Sequence, residues 1–587
     1  MYARFMQLVL MIVALATTCS AVEAGLAAPK NVAAQALSSR SVRLTWTDGN
    51  SDIVGFVVER SLDPKRKFKE IATTPDGSAR SYEDTGRQPA TTYYYRLRAL
   101  QERRSRSGKL RKPKKSKRSD VAAVTTLPAD GPTAAPTPPP PPPPAPTPAP
   151  GSGADEWAAR LGGTGHDIAA AVAVDGGGHV VVTGRFTGAA NLGGGTLGSA
   201  GGDDVFLARY TADGTHLWSR RFGGAGNDRG NAVAVDAAGN VLVAGSFEHT
   251  ASFGGSVLAS AGTWDGFVAK FAPDGTHLWS QRFGDGGLDA VHAVAVDGAG
   301  NVLLGGTFQG VVSFGGTPLA TSRSSVRDLF VARLSPAGAH QWSRGLQGDG
   351  DGAVNALAVD AAGNVALAGY FAGAVTVGGT RLTSASFSRD VLVASLSASG
   401  GDRWGRQFGG TLTDSGNAIA VDAAGDVFVT GVFATPVSFG GGAIQGDAAG
   451  EVFVAKYGGS NGAHRWSRSF GGLLDTDTGR AVSVAPGGDV VVTGSFRGSL
   501  TYPADFGGAL LAAVGLRDVF VARYSSNGVH RWSEAYGSSD NDDGGGLGVG
   551  PSGQILVTGS FSRTAAFPGG TLSSVGGLDA FLLNLAP

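Results

Sequence analysis

A tryptophan returns at residues 157, 218, 279, 342, 404, 466 and 532, at intervals of 61, 61, 63, 62, 62 and 66 residues, so the chain from residue 156 to its end is one pattern written seven times. A fixed period of this length means that each copy is a supersecondary unit that cannot bury its own apolar face and must stack on its neighbours. In the copy that follows Trp218, residues 232–236 (AVAVD) and 240–247 (NVLVAGSF) alternate like strands and are split by Ala237, Ala238 and Gly239. A second hairpin joins residues 267–271 (FVAKF) to 277–283 (HLWSQRF), with Pro273, Asp274 and Gly275 as the turn. No part of the copy has helical period. Four antiparallel strands per copy, repeated radially, predict an all-β seven-bladed β-propeller with AVAVD as inner strand a, then b, c and the tryptophan strand d. The first copy opens on a tryptophan strand and the last closes on residues 579–585 (DAFLLNL). The N-terminal strand is therefore expected to complete the last blade and leave no sheet edge open. An open solenoid is the alternative, with both end copies uncapped.

The run F-G-G-x-G-x-D-x-G-x-A-V-A-V-D-x-x-G-N-V-x-V-x-G-S-F at residues 222–247 and the D-x-F-V-A-K strand at 265–270 resemble the bacterial seven-bladed β-propeller (SBBP) repeat family. The resemblance implies the fold and very little about activity; its members are mostly secreted or surface proteins. Copies six and seven depart from the pattern. Ala485 and Gly550 stand where other copies end strand a in Asp, so those two corners are expected to be built differently.

Residues 1–24 carry one early positive charge (Arg4), an apolar run and a small-residue cleavage site, the pattern of a secretory signal. That run is too short to span a membrane. Cys19 is the only cysteine, which excludes intrachain disulfides and cysteine zinc sites. Lipid anchoring through Cys19 is the competing reading. Residues 28–127 resemble a fibronectin type III domain, carried by 42–48 (VRLTWTD), 56–61 (FVVERS) and 89–100 (PATTYYYRLRAL). The resemblance makes Trp46 the core aromatic and Tyr93 the corner tyrosine, and Arg87 stands where the family usually has a leucine.

Before its last strand that domain carries Arg103, Arg104, Arg106, Lys109, Arg111, Lys112, Lys114, Lys115, Lys117 and Arg118, ten cations in sixteen residues without an acid. The stretch reads as a solvated hairpin loop. Its functional reading is contact with a polyanion such as an acidic polysaccharide; without interleaved aromatics it should not select a nucleic-acid sequence. Twelve prolines between residues 132 and 150, inside a linker at 128–155, make a semi-rigid spacer of about 60 Å. From residue 156 onward there are 25 Lys plus Arg against 35 Asp plus Glu, and before it 23 against 13. A basic front module and an acidic propeller at 156–587 follow.

Within the propeller, acids recur at the opening of strand c (Asp204, Asp265, Asp328, Asp390, Glu451, Asp518, Asp579) and before strand a (Asp167, Asp228, Asp289, Asp414, Asp542). A residue needed in every blade is one the blade needs, as an acceptor for N–H groups in Gly-rich turns. The other reading makes Asp204, Asp228, Asp265 and Asp289 oxygen ligands for Ca²⁺. The histidines two residues before the tryptophans lack a second ligand at metal spacing. The tryptophans read as packing. A specific ligand should be met by residues that break the repeat on one face, namely Trp264, Arg323, Arg327, Phe387, Arg389 and Tyr502. Inner strands read as Ala and Val, with no unrepeated cluster of Glu, Asp, Tyr and His. The expected function is accordingly a secreted or surface, non-enzymatic protein that binds an extracellular glycan or protein. The second class is an extracellular hydrolase or lyase with its site on a propeller face.

Overall fold

The computed structural model describes residues 26–36, 41–50, 53–74, 79–104, 110–126, 156–323, 325–434, 436–446, 449–472, 476–498 and 503–587. The leader at 1–24 with Cys19, the linker at 128–155, Arg106, Lys109 and Tyr502 lie outside them. The chain divides into two compact units between Pro143 and Pro144.

In the first unit the alternation of VRLTW sends Val42, Leu44 and Trp46 inward and Arg43, Thr45 and Thr47 out. Lys30–Ala36, Val42–Thr47 and Ser81–Asp84 form one sheet; Lys69–Thr73, Ile53–Ser61, Thr92–Arg104 and Leu110–Lys115 form the other, with Ala122–Thr125 also on Thr92–Arg104. Trp46 meets Phe56 edge to face at 5.2 Å within the shared core. The Gln88 N–H donates to the Tyr93 hydroxyl oxygen at 2.9 Å, which makes Tyr93 the corner tyrosine. Arg87 pairs with Asp84 at 3.2 Å and lies over the Tyr93 ring, so its stem covers the corner that a leucine would fill.

The basic stretch is not the loop its charge suggests. Arg103 and Arg104 end one strand, and Arg111, Lys112, Lys114 and Lys115 lie in Leu110–Lys115, paired with it in register Leu100↔Lys115 to Arg104↔Leu110. Charge does not forbid a strand whose side chains all reach water. Leu110–Lys115 is the last strand of its sheet, and lysines with a proline, Pro113, are what an edge exposed to other chains tolerates. Lys115 pairs with Glu70 at 3.0 Å and Arg118 with Glu59 at 3.2 Å, while Lys112, Lys114 and Lys117 are exposed.

In the second unit every copy folds as one antiparallel blade. Blade 2 runs Asp228–Val235 (a), Val241–Phe247 (b), Asp265–Phe271 (c) and His277–Phe283 (d) in that spatial order. Strands b and c are buried from end to end, which is why their sequences are unbroken apolar runs. Five further sheets repeat this order. In the remaining one, Asp543–Val549, Ile555–Phe561 and Asp579–Leu585 are completed by Trp157–Gly163, in register Ala580↔Leu161 to Asn584↔Trp157. Arg160 also binds Asp579 at 2.7 Å across that join.

Neighbouring blades are stitched by repeated side chains. The indole N–H of Trp218 donates to the Pro273 carbonyl of the next blade at 2.9 Å, and Trp279, Trp342, Trp404 and Trp466 repeat the bond to Pro336, Ala398, Gly459 and Ser526. The histidines are strand residues; His277 meets Ser280 at 3.2 Å. Asp236 accepts N–H bonds from Ala238 and Asn240 at the a–b corner and pairs with Lys270 at 2.9 Å. Blade 6, with Ala485, moves the acid to Asp489, which pairs with Arg523 at 3.1 Å. In blade 7 Gln554 stands at that place. In blade 1 the buried Arg209 binds Asp175 at 2.5 Å and donates to Gly239 and Pro273 carbonyls of blade 2. Arg209→Met should cost about 3 kcal/mol in urea unfolding, since it strands a buried carboxylate and two carbonyls. An unchanged midpoint would remove this bond set from the stabilising contacts.

Candidate ligand-binding mouth at the inner strands

Strand a, innermost in each blade, lies beside strand a of the next: Asp167–Val174, Asp228–Val235, Ala290–Val296, Gly352–Val359, Ser415–Val421, Thr478–Val484, Asp543–Val549, with the last also beside the first. Every one carries a register shift against strand b, which leaves one residue unpaired in each: Ala170, Asn231, His292, Asn355, Asn417, Arg480 and Gly545. A bulge re-aims the side chain it frees. Here the freed residues are the ones that differ between copies. The amides of Asn231, Asn355 and Asn417 donate to Val291, Gly416 and Gly479 carbonyls of the following strand at 2.9 to 3.0 Å. Burial pushes the His292 imidazole down to about 4, with Arg327 adding to it, so it is neutral at physiological pH. Arg480 is exposed. The expectation that inner strands are only Ala and Val is corrected: bulges hide polar positions in an apolar alternation.

The start of strand a, the end of b and the start of c share one end of each blade, as Asp228↔Phe247↔Asp265 shows. Repeat-breaking charges collect there. Asp203 takes Arg185 at 3.4 Å and Arg229 of the next blade at 3.6 Å. Arg229 lies over the Trp264 ring at 4.8 Å, and Arg389 over Tyr370 at 4.4 Å. Arg327 binds Asp351 of the next blade at 2.8 Å, and Arg517 binds Asp543 at 3.2 Å. Four arginines thus pair with three aspartates, and a fifth, Arg389, lies on an aromatic ring.

Of the residues singled out from the sequence, Trp264 and Arg327 occupy this end in adjacent blades, each just before strand c. Trp264 also forms a backbone bridge to Leu288, beside a cavity of about 480 Å³ lined by Thr263, Asp285, Leu288 and Gln309. Arg323 is exposed and donates to the Asp349 carbonyl at 3.5 Å. Phe387 sits 72% exposed in a short 3-10 turn. No contact joins Arg323 or Phe387 to Trp264 among the described residues.

The recurrent aspartates serve the turns. Asp228 accepts the Gly224 N–H at 2.7 Å and Asp289 those of Asp285 and Gln309 at 3.1 Å; Asp204 and Asp265 accept N–H groups of Ala200 and Ala261 and pair with Arg221 and Arg282. All are buried, and among the described residues no three His, Cys, Asp or Glu side chains are grouped to hold a metal ion. Gly223 shows how close each pair sits: a Cβ there would meet Asp204 at 2.0 Å and Asp228 at 2.5 Å, and its φ is +138°. Burial first, then the neighbouring carboxyl, pushes Asp228 up to about 7. Asp477 is a further member that sequence reading missed, accepting Gly472 and Arg497 N–H bonds at 2.7 Å. Gly472 is five residues before it where the other copies have four, so the alignment by spacing slipped.

An all-β protein with a fibronectin-like sandwich and four-stranded propeller blades is the class these features define. Residues 27–110 match the fibronectin type III domain family, and residues 217–246 and 403–432 match the beta-propeller repeat family, SBBP. The chain thus carries an N-terminal fibronectin type III domain and, in the second unit, stretches matched as SBBP beta-propeller repeats. Over 192 residues it is 22% identical to an uncharacterized WD repeat-containing protein, L264, of Acanthamoeba polyphaga mimivirus (28% of this chain, 14% of that protein). Over 244 residues it is 28% identical to the regulatory protein FlaEY of Caulobacter vibrioides (37% of this chain). The chain spans 14% and 24% of the length of these relatives. Among solved structures, a Fn3-like protein from Clostridium thermocellum is 23% identical, with 18% of this chain and 100% of that one covered and a TM-score of 0.15. A β-1,2-glucanase from Parabacteroides distasonis is 21% identical over 18% of this chain and 14% of that one, also at 0.15.

Proposed function

We propose that this is a secreted or surface-attached binding protein without catalytic activity, whose seven blades close into one ring and present a ligand face where strands a begin. The observation that carries this reading is that repeat-breaking residues gather at that one end of the blades: Arg229 on Trp264 within blade 2, Arg389 on Tyr370 within blade 4, and Arg327 on Asp351 across the boundary between blades 3 and 4. Residues common to all copies answer to the fold; those that differ at one end answer to something outside it. Ring closure is supported by the Trp157–Gly163 pairing and by the contact of the last inner strand with the first. Among the described residues no helix is long and apolar enough to cross a membrane. The leader pattern supports export, and the exposed cations of the Leu110–Lys115 hairpin support a second, charge-driven contact with anionic polymers.

The test is an array of glycans and extracellular proteins probed with the full chain, followed by incubation with each captured ligand. Saturable binding with the ligand recovered intact is expected. Cleavage of a captured ligand would return the reading to the hydrolase or lyase class. For the hairpin, a variant with Lys112, Lys114 and Lys117 changed to Gln should leave a heparin column at lower salt than wild type; equal elution removes that contact.

A further inference from the structure

The inner end of the blades carries a charge opposite to that of the domain around it. From residue 156 onward the chain holds 25 Lys plus Arg against 35 Asp plus Glu. At this end, six arginines (185, 229, 327, 389, 480 and 517) stand against Asp203, Asp351 and Asp543, while Asp285, Asp349 and Asp540 in the neighbouring loops are taken up by backbone N–H groups, Arg381 and Arg563. The aspartates behind them are buried and spent on backbone N–H groups and arginines, so they offer solvent no oxygen. A local excess of one sign raises the local concentration of the opposite ion, even on a molecule of the wrong overall charge.

Arg480 gives that excess a focus. It is a bulged residue on an inner strand, the place where three other blades use a short asparagine to reach the next strand's backbone. No carboxylate pairs with it among the described residues. The next bulged position is Gly545, where a Cβ would meet the Ala169 carbonyl at 2.6 Å, and the one after is Ala170. At the bulge, strands a of blades 7 and 1 thus approach backbone to backbone, and Arg480, on the strand before them, is exposed. Arg229 and Arg389 lie over the rings of Trp264 and Tyr370, which restrains their guanidinium groups; Arg229 also shares Asp203 with Arg185, at 3.6 Å, and no carboxylate is paired with Arg389 among the described residues.

We propose that this mouth binds a carboxylate-bearing linear polysaccharide, with Arg480, Arg229 and Arg389 as the contacts to its carboxylates. The proposal rests on the reading of this face as the ligand face and names the ligand class. A planar carboxylate takes two N–H bonds from one guanidinium, and separated arginines suit a polymer that repeats its charge. A protein partner would want aromatic anchors to bury, and Trp264 and Tyr370 are covered by the protein's own arginines.

The experiment is calorimetric titration of the full chain with polygalacturonate oligomers, with a neutral glucan oligomer and a poly-glutamate peptide as further arms. Wild type should bind polygalacturonate more tightly than either, and more weakly as salt rises. R480Q should weaken binding by roughly tenfold, and R229Q/R389Q/R480Q by roughly a hundredfold, because charge-paired contacts are lost. Gln for Lys at 112, 114 and 117 in the other unit should change it by less than about threefold. R480Q breaks no side-chain hydrogen bond or ion pair among the described residues, so its melting temperature should equal wild type and its result stands if the triple variant fails to fold. Wild-type affinity in R480Q overturns the proposal, as does preference for poly-glutamate. Binding of the neutral glucan alone overturns the carboxylate class and leaves the binding-protein reading; capture of nothing on the wider array defeats that reading instead.

Discussion

Proline at both Ala158 and Ala159 should open the propeller unit, lowering its melting temperature sharply and turning a monodisperse protein into one that self-associates. These residues pair with Leu583 and Leu582 in the strand that joins the two ends of the unit. In an antiparallel ladder neighbouring N–H groups point to opposite sides, so one of the two prolines must delete a bond to Asp579–Leu585. The direct loss is about 3 kcal/mol or more. The larger effect comes after it. Asp579–Leu585 is buried along its whole length, and releasing its partner leaves a long, flat, apolar edge that pairs with other chains. Proline at Ser219 and Arg220, in the equivalent strand of blade 1, is the control. That strand remains tied to its neighbour through the turn at residues 211–215, so it should lose stability without associating. Light scattering and a thermal scan on the three proteins decide the matter. A158P/A159P that melts like wild type and stays monomeric would falsify ring closure by the N-terminal strand.

Raising the pH from about 4.5 to 7.5 should destabilise the second unit, the reverse of what a chain rich in paired aspartates usually shows. Burial, with a neighbouring carboxyl adding to it, pushes Asp167, Asp228, Asp289 and Asp518 up to about 7, and Asp414 to about 6. A carboxyl raised above its unfolded value near 3.9 is favoured protonated in the fold, so its contribution is complete below pH about 4. It then declines by about 1.4 kcal/mol per pH unit for each such group until pH passes the folded value, and is flat beyond it. Corner aspartates act in the opposite sense. Burial disfavours the charge of Asp236, but hydrogen bonds from Asn240 and Lys270 outweigh that and hold it below the usual range, and Asp175 and Asp297 behave alike. Their stabilisation is present above the unfolded value and lost in stronger acid. Melting temperature should therefore peak between about pH 4 and 5 and fall toward neutrality. Asp228→Asn keeps an oxygen for the Gly224 N–H and carries no charge, so it should raise the melting temperature at pH 7.5 and not at 4.5. A wild-type curve that climbs from pH 5 to 7 would contradict the assignment.

Several features were open to reading because they are local. The turn residues Pro273, Asp274 and Gly275, the unbroken apolar runs of strands b and c, and the indole returning with each copy follow from residues near one another in sequence. Others were not. A bulge leaves no mark in the alternation of AVAVD, so the inward turn of Asn231, His292 and Arg480 was invisible until strand a was set against strand b. The charge of Leu110–Lys115 pointed to a loop because composition is blind to which side of a strand faces water. Asp477 was missed through one inserted residue, though its two N–H bonds are those of Asp414.

What the sequence determined by itself was the blade: the period, the four strands and the demand that every copy find neighbours, since hydrophobic alternation and turn chemistry are written residue by residue. What only the tertiary structure decided was the site. Arg229 and Trp264, or Arg389 and Tyr370, come into contact because strands a, b and c bring their ends together. A charge excess at one end of the blades belongs to no segment of the chain, because it exists only when the pairing of strands brings sequence-distant side chains to the same end.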